Sequence, residues 1–283
     1  MIKRKLFLVE EKRNVLMGRG TIEYKGISTM HVYSFYLDGI LIDTGAKSLE
    51  REFLSFFKPL PIEQVVITHH HEDHTGNAHF LQNERNVPIY MHDKMIEYCS
   101  KPADYPLYRK VFWGNRPPFH AESIFKNGSN SENQQMFSSK NYTWDVIETP
   151  GHAIDHIALL NRETGQLFSG DLFCQVKTKV VLKEESVPTI IRSIQKVLTY
   201  DFDEVFCCHA GFIKDGRSAF KRKLEYLLDL QGQVLDLYNK GMTPKEIQKT
   251  VFPKKYPITL VSFGEWESIN IIHSIIQEHT IEQ

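Results

Sequence analysis

The sequence predicts a layered α/β domain followed by a small helical region. A β-branched run at residues 64–68 is followed by a helical stretch at 77–84 and a second run at 87–91, and this strand–helix–strand alternation is typical of layered α/β folds. Asp38-Gly39 between two β-rich runs predicts a hairpin, because glycine tolerates the positive φ of a type I′ turn. Residues 214–238 carry an apolar stripe at helical spacing. We therefore divide the chain into a main domain, residues 1–213, and a helical C-terminal region, residues 214–283.

Composition and charge are those of an ordinary globular protein. The 283 residues include 34 Lys and Arg against 35 Asp and Glu, a formal net charge of -1, which gives no global basic excess for nucleic acid. The apolar run at residues 6–9 is too short for a signal peptide, and no apolar stretch approaches the roughly 18 residues of a membrane span. We expect a soluble, cytoplasmic protein that does not bind a membrane.

The strongest motif directly follows the strand at 64–68 and reads Thr68-His69-His70-His71-Glu72-Asp73-His74. His69 and His71 are two residues apart, so in extended chain their side chains point the same way. Asp73 and His74 follow where a helix is predicted to begin. Because imidazole and carboxylate groups bind metals, one metal is expected at the His69/His71 pair and a second at the Asp73/His74 pair. The alternative, a polar loop that is merely rich in histidine, explains the spacing less well.

Other strand ends also present a histidine or an aspartate, namely Asp43, His152, Asp171 and His209. Such ends converge on one rim of a layered fold, so we expect these side chains to meet. Asp43 is expected to hydrogen-bond a metal ligand, and capping a helix at about 47–57 is the equally weighted alternative. The four cysteines form no C-x-x-C pair. They are expected to be reduced and mostly buried, with metal contact by Cys174, Cys207 or Cys208 as the alternative.

Residues 100 to about 140 interrupt the alternation of strands and helices. Long irregular insertions in compact domains are often lids or binding loops. Trp113, Arg116 and His120 are therefore candidates for a substrate-binding wall. The alternative is that the insertion docks its aromatic side chains as a satellite core, and the sequence favours neither.

The order of the metal-binding residue types resembles that of the metallo-β-lactamase superfamily. His69-x-His71-x-Asp73-His74, then His152, Asp171 and His209, are similar to that family's motifs over roughly residues 5–215, and Asp43-Thr44-Gly45 is similar to its first motif. The resemblance implies a four-layer αββα sandwich with a dinuclear metal site at one edge. It assigns His69, His71 and His152 to the first metal and Asp73, His74 and His209 to the second, with Asp171 bridging both.

A ligand set of imidazoles and carboxylates suits two zinc ions and also tolerates iron or manganese. Two such ions would lower the pKa of a shared water, supply a bridging hydroxide and polarise the bond to be cleaved. Asp73 is expected both to bind metal and to orient that hydroxide. His156 is a candidate proton donor to the leaving group, with a structural hydrogen bond as the alternative. The side chain of His70 points to the opposite side from its neighbours and is expected either to pack or to hydrogen-bond behind the ligands.

The motifs also distinguish branches of the family. The commonest di-zinc β-lactamases carry a cysteine where Asp171 stands, so the resemblance disfavours antibiotic hydrolysis. Glyoxalase II proteins share all seven ligands, and an endoribonuclease branch is similar in the Thr-Pro-Gly-His-x-x-Asp-His form of residues 149–156. We therefore expect hydrolysis of a small-molecule ester, thioester or lactone. RNA cleavage is the second hypothesis, and a metal-binding module without turnover is the third.

The helical C-terminal region bears on the RNA hypothesis. Thr243-Pro244-Lys245-Glu246 predicts a capped helix that ends near residue 252, and a last helix is predicted over about 265–277. Basic residues concentrate in this region: Arg217, Lys221, Arg222, Lys223, Lys245, Lys249, Lys254 and Lys255. They could contact phosphates, but acidic residues are interspersed among them, so a solvated helix face is the favoured interpretation.

Overall fold

The computed structural model describes residues 3–24, 28–125 and 135–282. Its strands are β1 (Lys3–Lys12), β2 (Val15–Tyr24), β3 (Ser28–Leu37), β4 (Ile40–Ile42), β5 (Gln64–Val66), β6 (Ile89–Met91), β7 (Glu122–Ser123), β8 (Gln135–Ser138), β9 (Thr143–Glu148), β10 (Ile157–Asn161), β11 (Gln166–Phe168), β12 (Val181–Leu182), β13 (Glu204–Cys207), β14 (Gly211–Ile213) and β15 (Trp266–Glu267). Its α-helices are α1 (Glu50–Phe57), α2 (Glu72–Thr75), α3 (Ala78–Arg85), α4 (Ile96–Cys99), α5 (Leu107–Trp113), α6 (Val187–Val197), α7 (Gly216–Asn239), α8 (Pro244–Val251), α9 (Pro257–Val261) and α10 (Ser268–Glu282). Short 3₁₀ turns cover Lys47–Leu49 and Asp93–Met95.

Two sheets form the centre of the fold. The first has the order β1-β2-β3-β4-β5-β6-β7, antiparallel from β1 to β4 and parallel from β4 to β7. The second has the order β14-β13-β11-β10-β9-β8, in which only β11 and β13 pair in parallel. Both sheets therefore contain parallel strands whose carboxyl ends lie at a common edge, and the loops at those ends carry the metal-binding motifs.

Apolar side chains fill three layers around these sheets. Between the sheets, Phe35 contacts Phe168 and Phe206 edge-on, at ring-centroid distances of 5.5 and 5.7 Å. On the outer face of the first sheet, a core that includes Phe53 of α1 and Leu81 of α3 is fully buried. The outer face of the second sheet is covered by α6, α7 and α10. Helices thus lie outside both sheets, and the predicted four-layer αββα sandwich is confirmed.

Two local predictions are also confirmed. Asp38 and Gly39 have φ values of 53° and 83°, and they join β3 to β4 in the antiparallel hairpin that the Asp-Gly pair predicts. Thr243 and Glu246 form the predicted capping box at the start of α8, because each side chain accepts a hydrogen bond from the other residue's main-chain N–H.

The helical C-terminal region packs on the second sheet. Phe220 and Leu227 of α7 and Ile272 of α10 belong to the same buried core as Ile194 of α6. In addition, β15 pairs with β12 in a two-stranded sheet, which ties the C-terminal region to the loop that precedes α6. The division at residue 213 stays a prediction, and the contacts make the helical region part of one continuous core.

The insertion at 100–140 has features of both predicted alternatives, an exposed wall and a docked satellite core. Its first part forms α5, whereas the side chains of Arg116 and Phe119 further along are buried, with 1% exposure each. The polar run at 127–131 lies outside the described residues. In the part of the chain that the structure describes, no helix has both the length and the apolar character needed to cross a bilayer.

Candidate metal centre

Strand ends from both sheets bring the predicted ligands together. His69 and His71 follow β5, and Asp73 and His74 lie in the short helix α2. The ligands of the second sheet follow its strands in turn: His152 comes after β9, Asp171 after β11 and His209 after β13. Four groups of ligand atoms meet here, each group within 4.8 Å, and together they contain all seven predicted ligands.

Three imidazoles form one side of the centre. Nδ1 of His71 lies 3.0 Å from Nε2 of His69 and 3.0 Å from Nε2 of His152. Burial lowers the pKa of His69 and His71 well below the ordinary value, and neighbouring histidines add to the effect. Neutral imidazoles with converging nitrogen atoms offer lone pairs to a shared cation, as metal-binding histidines do.

Two carboxylates and two imidazoles form the other side. Asp171 lies between the groups, because its Oδ2 is 2.9 Å from Nε2 of His209 and 3.4 Å from Nε2 of His152. Oδ2 of Asp73 is 3.4 Å from the same nitrogen of His209 and 3.8 Å from Nε2 of His74. The carboxylate of Asp171 therefore lies between the two groups of predicted ligands, within 3.5 Å of nitrogen atoms from both.

Protonation in this second group is governed by the carboxylates. Although burial acts to lower it, Asp171 raises the pKa of His209 to about 10. Burial likewise opposes the effect at His74, yet Asp171 and Asp43 hold its pKa well above the ordinary value. In return, and against burial, His209 and His74 hold the pKa of Asp171 well below its usual range. The carboxylates thus attract positive charge to this position, which is the electrostatic requirement of a cation site.

The donor set fits metal ions on a further observation. Nε2 of His74 and Oδ1 of Asp171 are buried polar atoms without a hydrogen-bond partner among the described residues, and they lie 3.5 Å apart. Buried polar atoms are nearly always satisfied, so this pair is arranged for a ligand common to both atoms. Nitrogen and oxygen ligands without a coordinated thiolate suit a divalent ion such as zinc.

Asp43 orients the ligand His74. It is fully buried, and its Oδ2 lies 2.8 Å from Nδ1 of His74, which leaves Nε2 of that ring directed to the centre. Thr68 donates to both oxygens of Asp43, from its main-chain N–H and its hydroxyl, each at 2.8 Å. The helix-capping alternative does not apply, because the N-cap residues of the turn at Lys47–Leu49 and of α1 are Ala46 and Leu49, not Asp43.

Glu185 was missed by the sequence analysis. Its Oε2 lies 2.9 Å from Nδ1 of His152, and its Oε1 accepts from the N–H of Leu182 at 2.7 Å. Burial opposes the effect, but Glu185 raises the pKa of His152. A carboxylate behind a metal-binding histidine fixes the ring and strengthens it as a ligand. Glu185 stands 33 residues from His152 in no motif, so no local signal marks it.

Cys208 was considered only as a core or metal-contacting thiol. Its Sγ donates to Oδ2 of Asp43 at 3.0 Å, so it contacts the residue that orients His74. Cys174 is half-buried at the cavity wall, and its Sγ donates to the carbonyl of Asp171 at 3.2 Å. Cys207 is buried and accepts from the N–H of Cys174. The three thiols thus form hydrogen bonds close to the predicted ligands, a role between core packing and metal contact.

His156 has hydrogen bonds at both ring nitrogens. Nε2 accepts from the N–H of Asp171 at 2.9 Å, and Nδ1 lies 2.8 Å from the hydroxyl of Thr149. Burial lowers the pKa of His156 to about 3, and a Cβ added at Gly170, which has φ +48°, would lie 2.5 Å from its Nε2. Since the neutral ring is enclosed and fully used, its contacts favour the structural alternative over proton donation. The ring of His70 lies 4.8 Å from that of His71 between centroids, and its Nδ1 is 2.7 Å from Oδ1 of Asp155.

A cavity of about 410 Å³ opens over the centre. The apolar part of its wall comes from the first sheet, the insertion, β12 and the C-terminal region, through Met30, Phe112, Trp113, Val181, Ile258 and Trp266. Trp113 lines this cavity, and its ring centroid lies 6.4 Å from that of His209. Its role in binding a substrate stays a prediction. Neither Arg116 nor His120 lines this cavity, so their place in a substrate-binding wall stays a prediction that the cavity does not support.

Arg116 is structural for a clear reason. Its guanidinium is buried and donates to the main-chain carbonyls of Cys99, Tyr98 and Lys101 at 2.9, 3.1 and 3.3 Å. The group thus holds the insertion to α4. His120 is exposed, and its main chain is held by Gln82 through two hydrogen bonds.

The cation that does line the cavity in this segment is Arg109. Its guanidinium makes a bidentate contact with Glu72, Nε to Oε1 and Nη2 to Oε2 at 2.6 Å each. Its Nη1 donates to Glu265 of the C-terminal region at 3.3 Å. Arg109 thus joins α5 to the ligand-bearing helix α2 and to the segment before α10, with its charge balanced by carboxylates.

Comparison with known proteins agrees with the fold and the motifs. The family model described as the metallo-beta-lactamase superfamily matches residues 31–209, more than half of the chain and every predicted ligand. The chain belongs to the metallo-beta-lactamase superfamily, and it is a metal-dependent hydrolase of that superfamily.

Particular relatives cover different parts of the chain. The probable metallo-hydrolase YqjP of Bacillus subtilis (strain 168) is 24% identical over 250 residues, 76% of this chain and 78% of that protein. A hydroxyacylglutathione hydrolase of Pectobacterium carotovorum is 29% identical over 170 residues, 60% of this chain and 55% of that protein. The crystal structure of the metallo-beta-lactamase family protein TTHA1429 from Thermus thermophilus has a TM-score of 0.62 at 15% identity and covers 98% of this chain and 94% of that one. The shared fold therefore includes the helical C-terminal region.

Proposed function

We propose that the protein hydrolyses a small-molecule ester, thioester or lactone at a dinuclear centre, most simply of zinc. The observation that carries this proposal is the position of the ligand cluster at the base of a cavity of about 410 Å³, which is lined by five of the seven predicted ligands, His71, Asp73, His152, Asp171 and His209. A cavity of this size suits a small ligand rather than a polymer. The relative from Pectobacterium carotovorum is by name a hydrolase of hydroxyacylglutathione, which supports an acylated small molecule as substrate.

In this proposal His69, His71 and His152 hold the first metal, Asp73, His74 and His209 hold the second, and Asp171 contacts both. Bound there, the ions would supply a hydroxide nucleophile near neutral pH and polarise the carbonyl of the substrate. Asp73 lines the cavity from its helix, so its carboxylate can accept a hydrogen bond from the nucleophile and orient it. Asp43 and Glu185 keep His74 and His152 in the tautomers that direct Nε2 to the centre.

The contacts of the basic residues favour this function over RNA cleavage. Arg109 is neutralised by Glu72, and Arg217 donates to the carbonyls of Tyr200 and Leu198. Six of the other basic residues of the C-terminal region are exposed on its helices and their connections, and none of them lines the cavity. A basic groove that follows a nucleic-acid backbone is not formed by the residues that the structure describes at this site.

The test is hydrolysis of a panel of acyl thioesters, esters and lactones, with labelled single-stranded RNA assayed alongside. We expect thioester or ester turnover that is lost in Asp73→Ala, in Asp171→Ala and after chelation, together with loss of most bound metal in Asp171→Ala. If the protein instead cleaves RNA, with the same dependence on these aspartates and on metal, and hydrolyses no ester, it is a phosphodiesterase. Two retained metals and full activity in Asp171→Ala would refute the ligand assignment.

A further inference from the structure

Lys223 is a buried lysine in the wall of the cavity. It lies on α7, is 5% exposed, and borders the cavity close to Cys174 and Glu185. An ammonium group is rarely buried without a counter-charge, because removal from water penalises the charged form. Burial accordingly lowers the pKa of Lys223. The question for Lys223 is therefore which group balances its positive charge.

The protein itself satisfies Lys223 only in part. Its Nζ donates to the carbonyls of Leu172 and Phe173 at 2.8 and 2.6 Å, in the turn that directly follows Asp171. An ammonium group has three donors, and within the described residues Lys223 has no third acceptor and forms no ion pair. Arg109, the other cation of the cavity wall, differs because Glu72 and Glu265 balance its charge.

The nearby carboxylates are engaged elsewhere. Both oxygens of Glu185 are used, one by His152 and the other by the N–H of Leu182. Asp171 is held between the imidazoles of His209 and His152 and is a predicted metal ligand. Lys223 therefore keeps one N–H donor without an acceptor among the described residues at the edge of the cavity. Its ammonium group lies 5.9 Å from the ring centroid of Phe173 and has no ion-pair partner among those residues.

We propose that Lys223 binds a free carboxylate of the substrate, separate from the carbonyl that is hydrolysed. The inference rests on the proposed ester or thioester hydrolysis and narrows its substrate class to acyl compounds that carry a carboxylate in the acyl half or in the leaving half. Apolar side chains of the cavity wall such as Val181 and Ile190 would contact the hydrocarbon between the two groups. One free donor on a compact ammonium suits a single carboxylate oxygen.

Two matched substrate pairs test this inference. In the first pair, the butanoyl and succinyl thioesters of one neutral thiol differ only by a terminal carboxylate in the acyl half. In the second, the acetyl thioesters of propanethiol and 3-mercaptopropionate place that difference in the leaving half. We expect the wild type to prefer the charged member of one pair by at least about tenfold in kcat/KM, mostly through KM, because a hydrogen bond to a charged group has that effect. The pair that shows the preference identifies the half that carries the carboxylate.

Variants link the preference to Lys223. Lys223→Met keeps the length of the stem without the charge and should reduce the preference at least about tenfold, whereas Lys223→Arg should retain part of it. Lys221→Met is the matched control, because Lys221 is exposed two residues earlier on the same helix, and it should leave the preference unchanged. Metal content and circular dichroism of each variant show whether the fold and the centre are intact.

Several results would overturn the inference. If the wild type does not discriminate between the two members of either pair, the inference is wrong, and no variant is needed to show it. Equal losses on charged and neutral substrates in Lys223→Met, together with lost metal, would make Lys223 a structural residue for the turn after Asp171. If the metal-loaded wild type hydrolyses no member of these pairs and nothing in the panel of thioesters, esters and lactones, the proposed function fails, and calorimetric binding of succinamate against butyramide then tests the carboxylate site alone. Binding of succinamate at least about tenfold weaker in Lys223→Met than in wild type keeps the site, and equal binding removes it.

Discussion

Asp43→Asn is the substitution that most directly tests how the centre is supported. Oδ1 of Asp43 accepts from the N–H of Thr68, and Oδ2 accepts from the Thr68 hydroxyl, from Nδ1–H of His74 and from the thiol of Cys208. Asparagine has the same shape, but one oxygen becomes an NH₂ group that cannot accept. In the better orientation the remaining oxygen faces three donors, and the NH₂ group faces the N–H of Thr68.

The expected losses in free energy of unfolding and in metal affinity follow from these contacts. The variant loses one hydrogen bond to a charged group, about 1.5–3 kcal/mol, and its remaining bonds are to a neutral oxygen. Removing the charge beside a buried partner raises the total loss in free energy of unfolding to about 3–5 kcal/mol. Because His74 is no longer held by a carboxylate, metal affinity should fall about 10- to 100-fold.

Metal competition with a chromophoric chelator measures the affinity, and urea denaturation measures the stability. Asp145→Asn is the control, since Asp145 is also buried but is paired with Arg162 and contacts none of the predicted ligands. It should lose stability and keep the metal affinity of the wild type. A metal affinity of Asp43→Asn within about threefold of the wild type would refute the role assigned to Asp43.

Three further substitutions separate the roles of individual residues. Glu185→Gln should weaken metal binding about 10- to 100-fold, because His152 loses the carboxylate behind its Nδ1, and unchanged affinity in the same competition assay would contradict this. Arg116→Met leaves buried carbonyls without a donor and should cost about 3 kcal/mol of stability with no change in KM; a raised KM at unchanged stability would return Arg116 to the substrate wall. For His156, the folded-state pKa of about 3 lies below the ordinary 6.5, so the unfolded chain binds the proton first and stability falls as pH drops from about 6.5 towards 3, by about 1.4 kcal/mol per pH unit. His156→Gln should remove this contribution in urea denaturation of the chelated protein between pH 4 and 7, and equal acid slopes would show that the buried ring is not its source.

The sequence by itself determined the features that depend on neighbours along the chain. The turn at Asp38-Gly39 and the capping box of α8 follow from backbone and side-chain geometry within four residues. The histidines and aspartates at strand ends could be identified because a strand must end where its apolar run ends, and parallel neighbours end at the same edge. Four strand exits thus specify a metal centre and, with it, the family.

Only the tertiary structure decided which distant side chains complete the centre. Glu185 reaches His152, and Lys223 reaches the turn after Asp171, across 33 residues and about 50 residues of chain. The insertion at 100–140 shows the same limit, since Trp113 borders the cavity while Arg116 is buried three residues later. Local periodicity cannot distinguish these outcomes, because the direction of an irregular segment is set by the surfaces on which it packs.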